Sequence, residues 1–141
     1  MTQGQELHGW WKLVSLHVET QGVNERQQPF GAKPVGRLVL SPNGQMIAVV
    51  TAEGRKAGHA EADQLALYGS MLAYTGRYRI EGSKFITKVD ASWNEAWTGT
   101  DQERSYALNG DSLDIVSSWG PHPMLPNSPP IRGILSWHRE L

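Results

Sequence analysis

Apolar and polar residues alternate along most of this chain. Successive side chains of an extended strand point to opposite sides. From Gly9 to Glu19, one face therefore carries Trp11, Leu13, Ser15, His17 and Glu19, and the other Trp10, Lys12, Val14, Leu16 and Val18. Strands are also predicted at Gly36 to Ser41 and Gln45 to Ala52, joined across Pro42-Asn43-Gly44; Asn-Gly between β-rich runs is a hairpin signal. Lys84 to Ser92 follows Gly76 to Glu81 across Gly82-Ser83, and Ser112 to Ser118 follows Asp101 to Leu108 across Asn109-Gly110-Asp111. Arg132 to Arg139 is the last strand. Between Ala60 and Tyr74 the period changes. Leu65, Ala66, Tyr68, Met71 and Leu72 fall near helical spacing, and no Pro interrupts them, which predicts a helix of about three to four turns over 60–74. Glu53 to His59 is the loop that leads into it.

About eight strands joined by consecutive hairpins, one inserted helix and no parallel crossover pattern predict an all-β fold: an antiparallel up-and-down barrel forming a single domain over 1–141. Closure leaves no strand edge exposed, and a barrel of roughly eight strands encloses side chains or one small ligand. The segment from Gly120 to Pro130 holds Pro121, Pro123, Pro126, Pro129 and Pro130. Proline donates no ladder hydrogen bond, so this segment is expected to be a stiff surface loop.

Several ordered segments resemble a bacterial and fungal lipocalin-like family of small calycin-type barrels. Gly9-Trp10-Trp11-Lys12-Leu13-Val14-Ser15 looks like the Gly-x-Trp opening of lipocalins and fatty-acid-binding proteins. Phe30-Gly31, the run from Gly36 to Met46, Tyr74-Thr75-Gly76-Arg77-Tyr78, Gly99 to Arg104, Leu108 to Leu113 and Gly133 to Arg139 are similar to the family's later segments. The resemblance covers nearly the whole chain. It implies a barrel with an interior site, places Trp11 inside at the closed end and suggests that Arg139 stacks on it. Where members of the family carry a histidine pair on the strand after the first central turn, this chain has Thr87-Lys88, so chemistry resting on those histidines is not implied here.

Composition narrows the function classes. The 141 residues suffice for one modest core. A formal net charge of −1 gives no field that would attract nucleic acid or an anionic membrane. The absence of cysteine excludes disulfides and thiolate catalysis and points to a reducing compartment. The polar start, Thr2-Gln3-Gly4-Gln5-Glu6, lacks the regions of a signal peptide, and no apolar run reaches membrane-span length. The expectation is a cytoplasmic protein without a cofactor. Of the five histidines, His8, His17, His59, His122 and His138, none is spaced like a metal ligand set, so no metal is expected.

Six Trp, four Tyr and two Phe supply bulky apolar surface with polar handles. Leu38, Leu40, Met46, Ala48, Val50, Tyr78, Ile80, Arg104, Tyr106, Leu113, Ile115, Leu135 and Trp137 are expected to turn inward. The helix with Tyr68, the Trp93–Trp97 turn and the Pro-rich loop with Trp119 are expected at the open end, as a pocket rim or as caps on a small core. Hydrophobicity alone would bury the face of Trp10, Val14, Leu16 and Val18, as in a solid core; the resemblance instead puts Trp11 inside, and Ser15, His17 and Glu19 then follow on the inner face. His17 is then the best candidate acid or base, oriented by Glu19, against the alternative that both are idle at the barrel mouth. The stripe Val14, Leu16 and Val18 would face outward and need cover from the helix or a second subunit. Arg104 either binds a ligand carboxylate, phenolate or enolate or pairs with Asp90 or Glu103 to hold the barrel together. Tyr78 and Tyr106 offer phenol donors, and Lys88 and Asp90 share one face of their strand.

The candidate ligand-binding set is thus Ser15, His17, Leu40, Tyr68, Tyr78, Trp93, Arg104, Tyr106 and Trp119. Three functions fit it: binding of a small, largely apolar or aromatic molecule; a cofactor-free cyclase, isomerase or dehydratase; or a solid barrel serving as an interaction domain. An interior cavity of about 300 Å³ or more separates the first two from the third.

Overall fold

A computed structural model describes residues 5–121 and 127–140. Eight antiparallel strands close into a barrel in which each pairs with the next and the last with the first. They are β1 (Gly9–Thr20), β2 (Val35–Leu40), β3 (Gln45–Thr51), β4 (Met71–Glu81), β5 (Lys84–Ser92), β6 (Asp101–Asn109), β7 (Ser112–Ser117) and β8 (Ile131–Glu140). One helix, α1 (Glu61–Gly69), precedes β4, and short 3-10 turns cover Gln5–Leu7 and Glu95–Trp97. The predicted hairpins form at Pro42-Asn43-Gly44, Gly82-Ser83 and Gly110-Asp111; Gly44 takes the left-handed conformation its turn requires (φ 85°).

The helix is shorter than its periodicity suggests. It stops at Gly69, and Met71, Leu72 and Tyr74 belong to β4. The reason is the ladder: β3 needs a partner along its full length, and Thr51, Val50 and Ala48 find theirs in Met71, Leu72 and Tyr74. Interstrand hydrogen bonds and inward burial outweigh weak helical propensity. No residue of α1 is buried.

β1 resolves the choice between its two faces by using both. A β-bulge interrupts the pairing with β8, where Leu13 opposes Trp137 and Ser15 opposes Ser136, leaving Val14 as the extra residue. Trp11 and Leu13 point inward before the bulge; Leu16 joins the same core after it, with Val18 packed alongside. The expected apolar outer stripe therefore shrinks to Val14, 58% exposed, and the expected inward run ends at Leu13. A second shift lies between β4 and β5 at Thr75/Gly76. There a β-carbon on Gly76 would lie 2.1 Å from the Lys88 carbonyl oxygen, so only glycine allows the approach.

One end of the barrel is sealed. Trp11 is fully buried, its indole N–H donates to the Leu7 carbonyl at 3.0 Å, and the Arg139 guanidinium lies 4.3 Å from its ring centre. Arg139 also donates to the carbonyls of His8 (2.8 Å) and Glu6 (2.6 Å) and pairs with Asp111. Leu7, Leu40 and Met46 pack into this end, and Tyr78 stacks flat on Phe85. All the residues expected to turn inward on β2 to β8 belong to the core or pack against it, except Arg104, which borders the interior cavity.

Candidate functional site

The interior space lies in the other half of the barrel. Along β6, Gln102, Arg104, Tyr106 and Leu108 are half-buried and the residues between them exposed, so period-two alternation directs Arg104 inward. The early start of β4 brings Leu72 and Tyr74 to the same space from across the barrel, and β8 contributes Leu135 and Trp137. Trp97 covers it from the 3-10 turn, which the Asn94 side chain caps by accepting from the Ala96 N–H at 3.1 Å. Trp97 meets Tyr74 edge-on at 5.2 Å and Trp93 edge-on at 5.0 Å; Tyr68 of α1 lies 6.3 Å from Trp93. Four aromatic rings thus form a continuous cover.

Beneath that cover the cavity is about 50 Å³. This falls short of the volume of about 300 Å³ that separates the binding and enzyme readings from a solid barrel, because Trp97, Tyr74 and Leu72 occupy the space around it. An apolar cavity of roughly 150 Å³ can take up benzene, so with Trp97 in place this one admits only something smaller.

The wall of the cavity is apolar with donor groups set into it. Arg104 donates to the Gln102 side-chain oxygen at 3.2 Å and to the Glu103 backbone carbonyl at 3.1 Å, and its guanidinium lies 5.6 Å from the Trp97 ring centre. Neither carboxylate expected to pair with it does so: Glu103 binds Lys84 at 2.6 Å on the outer surface, and Asp90 accepts from the Thr75 hydroxyl. The Lys84–Glu103 hydrogen bond, more than the charge attraction, raises the Lys84 pKa. Tyr74 is held above its ordinary phenol value of 10.0 by burial, which the positive charge of Arg104 opposes without cancelling. The buried indole N–H of Trp137 has no hydrogen-bond partner among the described residues, a deficit of about 1–3 kcal/mol for a buried donor.

Only part of the candidate set meets here. Arg104 lines the cavity; Trp93 and Tyr68 sit in the aromatic cover above it. Leu40 is buried near the sealed end, where the Tyr78 hydroxyl donates to the Ser41 carbonyl at 3.2 Å and burial raises the Tyr78 pKa. Tyr106 packs against the core without reaching the cavity. Ser15, His17 and Glu19 are displaced from the interior by the bulge, which gives Leu16 and Val18 the inner face. His17 sits opposite Ile134 of β8, and Glu19 forms an outer-wall ion pair with Arg132 at 3.1 Å. Trp119 is on that outer wall too, under the Arg132 guanidinium at 4.6 Å and apart from the other tryptophans. Lys88 and Asp90 face solvent while Thr87 and Val89 turn in. His122, Pro123 and Pro126 lie outside the described residues.

Tyr74 and Leu72 are the cavity residues the helical assignment hid. Their signal is present: Leu72, Tyr74, Gly76, Tyr78 and Ile80 alternate with Ala73, Thr75, Arg77 and Arg79. Among the described residues no three His, Cys, Asp or Glu gather as a metal site, and no helix is long and apolar enough to cross a membrane.

The family model that matches this chain is that of a lipocalin-like domain, over residues 8–140. No curated protein matches it.

Proposed function

The chain belongs to the lipocalin-like domain family, and from that premise we propose that it binds a small, largely apolar molecule with one hydrogen-bond-accepting group, in the cavity beneath Trp97. The observation that carries this is a pair of groups lining one apolar cavity that lack these partners among the described residues: a guanidinium without a carboxylate, Arg104, and an indole N–H without an acceptor, Trp137. Both only donate. A ligand carboxylate, enolate or carbonyl satisfies both, while its apolar body rests against Leu72, Ile115 and Leu135. Tyr74, kept neutral by burial, adds a third donor.

A bound ligand needs more than about 50 Å³, so the reading requires the cover to move. Its parts are lightly held: α1 buries no residue, and Trp97 belongs to a three-residue turn. Swinging its indole outward adds the volume of a bicyclic ring to the cavity. Binding takes precedence over proton-transfer catalysis because, among the described residues, no His, Asp or Glu lines the cavity, and burial holds Tyr74 above its ordinary phenol value of 10.0.

Titration with octanoate and octanol, followed by tryptophan fluorescence, tests the reading. Octanoate is expected to bind more tightly than octanol. Arg104→Gln lowers octanoate affinity at least about tenfold, since a hydrogen bond to a charged group contributes about 1.5–3 kcal/mol, and leaves octanol affinity nearly unchanged. Trp97→Ala speeds entry of both. Equal octanoate affinity in the native and Arg104→Gln proteins refutes the assignment.

A further inference from the structure

The outer wall formed by β1 to β5 carries apolar residues where the fold would tolerate polar ones. Cross-strand registers place Trp10, Val39, Ile47, Thr75 and Ala91 in one row, and Lys12, Arg37, Val49 and Ala73 in the next. Trp10 is 58% exposed, Val14 58%, Val35 62%, Ile47 49% and Val49 44%. These five side chains offer roughly 500 Å² of apolar surface, near the upper end of the largest patch on a typical monomer, a patch that is often functional. A standard interface takes about 800 Å² from each partner, with near two-thirds of it apolar in homodimers, so this face matches what one subunit of a dimer presents.

Its relief is self-complementary. Trp10 projects from β1. Across β2 and β3 lies a shallow depression of about 330 Å³, floored by Ala73, Thr75 and Ala91 and walled by Ile47, Val49 and Trp93. That volume exceeds the roughly 150 Å³ that accommodates a benzene ring. Trp10 and the depression sit about three strand spacings apart, near 14 Å. A twofold axis along the seam of β2 and β3 exchanges the two sides, so each Trp10 enters the other copy's depression, as an isologous interface demands.

We infer that this face joins two copies of the chain into a twofold dimer locked by reciprocal insertion of Trp10. The occupant is a second copy; the depression shares Trp93 and Tyr74 with the cavity's surroundings but not the donors Arg104 and Trp137, so association and octanoate binding are read separately.

Sedimentation equilibrium of the full chain tests it. The native chain is expected to be dimeric at micromolar concentration. Trp10→Asp removes the knob and Ala91→Arg fills the depression. Each weakens association at least about a hundredfold, because an aromatic anchor is a hot spot and a twofold interface contains it twice. Both positions are solvent-exposed, and an unchanged far-UV circular dichroism spectrum verifies folding. Mixing the two variants restores a dimer. One Trp10 then meets one intact depression, and at the other contact the introduced carboxylate meets the introduced guanidinium. A native chain that stays monomeric to about 100 µM, variants that dimerise like the native chain, or a mixture that stays monomeric each overturns the inference.

Discussion

Replacing Arg139 with Met tests what seals the barrel. The guanidinium lies 4.3 Å from the ring centre of Trp11, which has no exposed surface; such a desolvated cation–π contact contributes about 1–2 kcal/mol. Its donations to the carbonyls of His8 and Glu6 at 2.8 and 2.6 Å are charge-assisted, adding about 1.5 kcal/mol each. The pair with Asp111 is half in water, with that carboxylate side chain 55% exposed, and contributes under about 1 kcal/mol. Methionine keeps the apolar stem and some contact with the ring. The expected loss is about 3–5 kcal/mol, a large share of the 5–15 kcal/mol typical of a domain. Arg37→Met is the comparison. Its pair with Glu140 is shorter in distance, 2.8 Å, but both side chains are near 40% exposed, at 41% and 38%, so its loss is expected below about 1 kcal/mol. Urea unfolding followed by circular dichroism, with the slope shared among the proteins, measures both. A loss at Arg139 below about 1.5 kcal/mol, or one equal to that at Arg37, refutes the argument that desolvation, and not ion-pair distance, sets the strength of these contacts.

Two further outcomes follow from the structure. Leu16→Ala is expected to cost about 2–5 kcal/mol and Val14→Ala less than about 0.5 kcal/mol in the same urea assay, because the bulge buries Leu16 and exposes Val14; the reverse order would place the bulge elsewhere. The raised pKa of Tyr74 favours the folded state fully below the ordinary phenol value of 10.0. Above it the unfolded chain loses its proton first, so stability falls as pH rises through the folded value. Tyr74→Phe should flatten that fall above about pH 10, and an unchanged slope would remove Tyr74 as its source.

Some of the site was legible before folding. Arg104 could be placed inward because β6 alternates without interruption from Asp101 to Asn109. Tyr74 was not placed, because Leu65 to Leu72 satisfies a helical period while Leu72 to Ile80 satisfies a strand period, and only the demand of β3 for a partner decides where one yields to the other. His17 and Glu19 went astray for a related reason. Period two propagates an assignment along a strand, so one inserted residue at Val14 reverses every side chain beyond it.

Local chemistry in the chain determined the strands and the turns. Asn-Gly and Gly-Ser can do little but turn, and alternation commits each strand to two faces; the plug of Trp11 under Arg139 was implied by the family resemblance and not by alternation. What needed the tertiary structure was how much room remains inside and what the outer wall offers. Free volume is the small remainder after Trp97 of the 3-10 turn and Tyr74 and Leu72 of β4 have packed against the other strands, and an exposed apolar face exists only once five strands lie side by side. Both are sums over residues distant in sequence, and no period in the chain encodes such a sum.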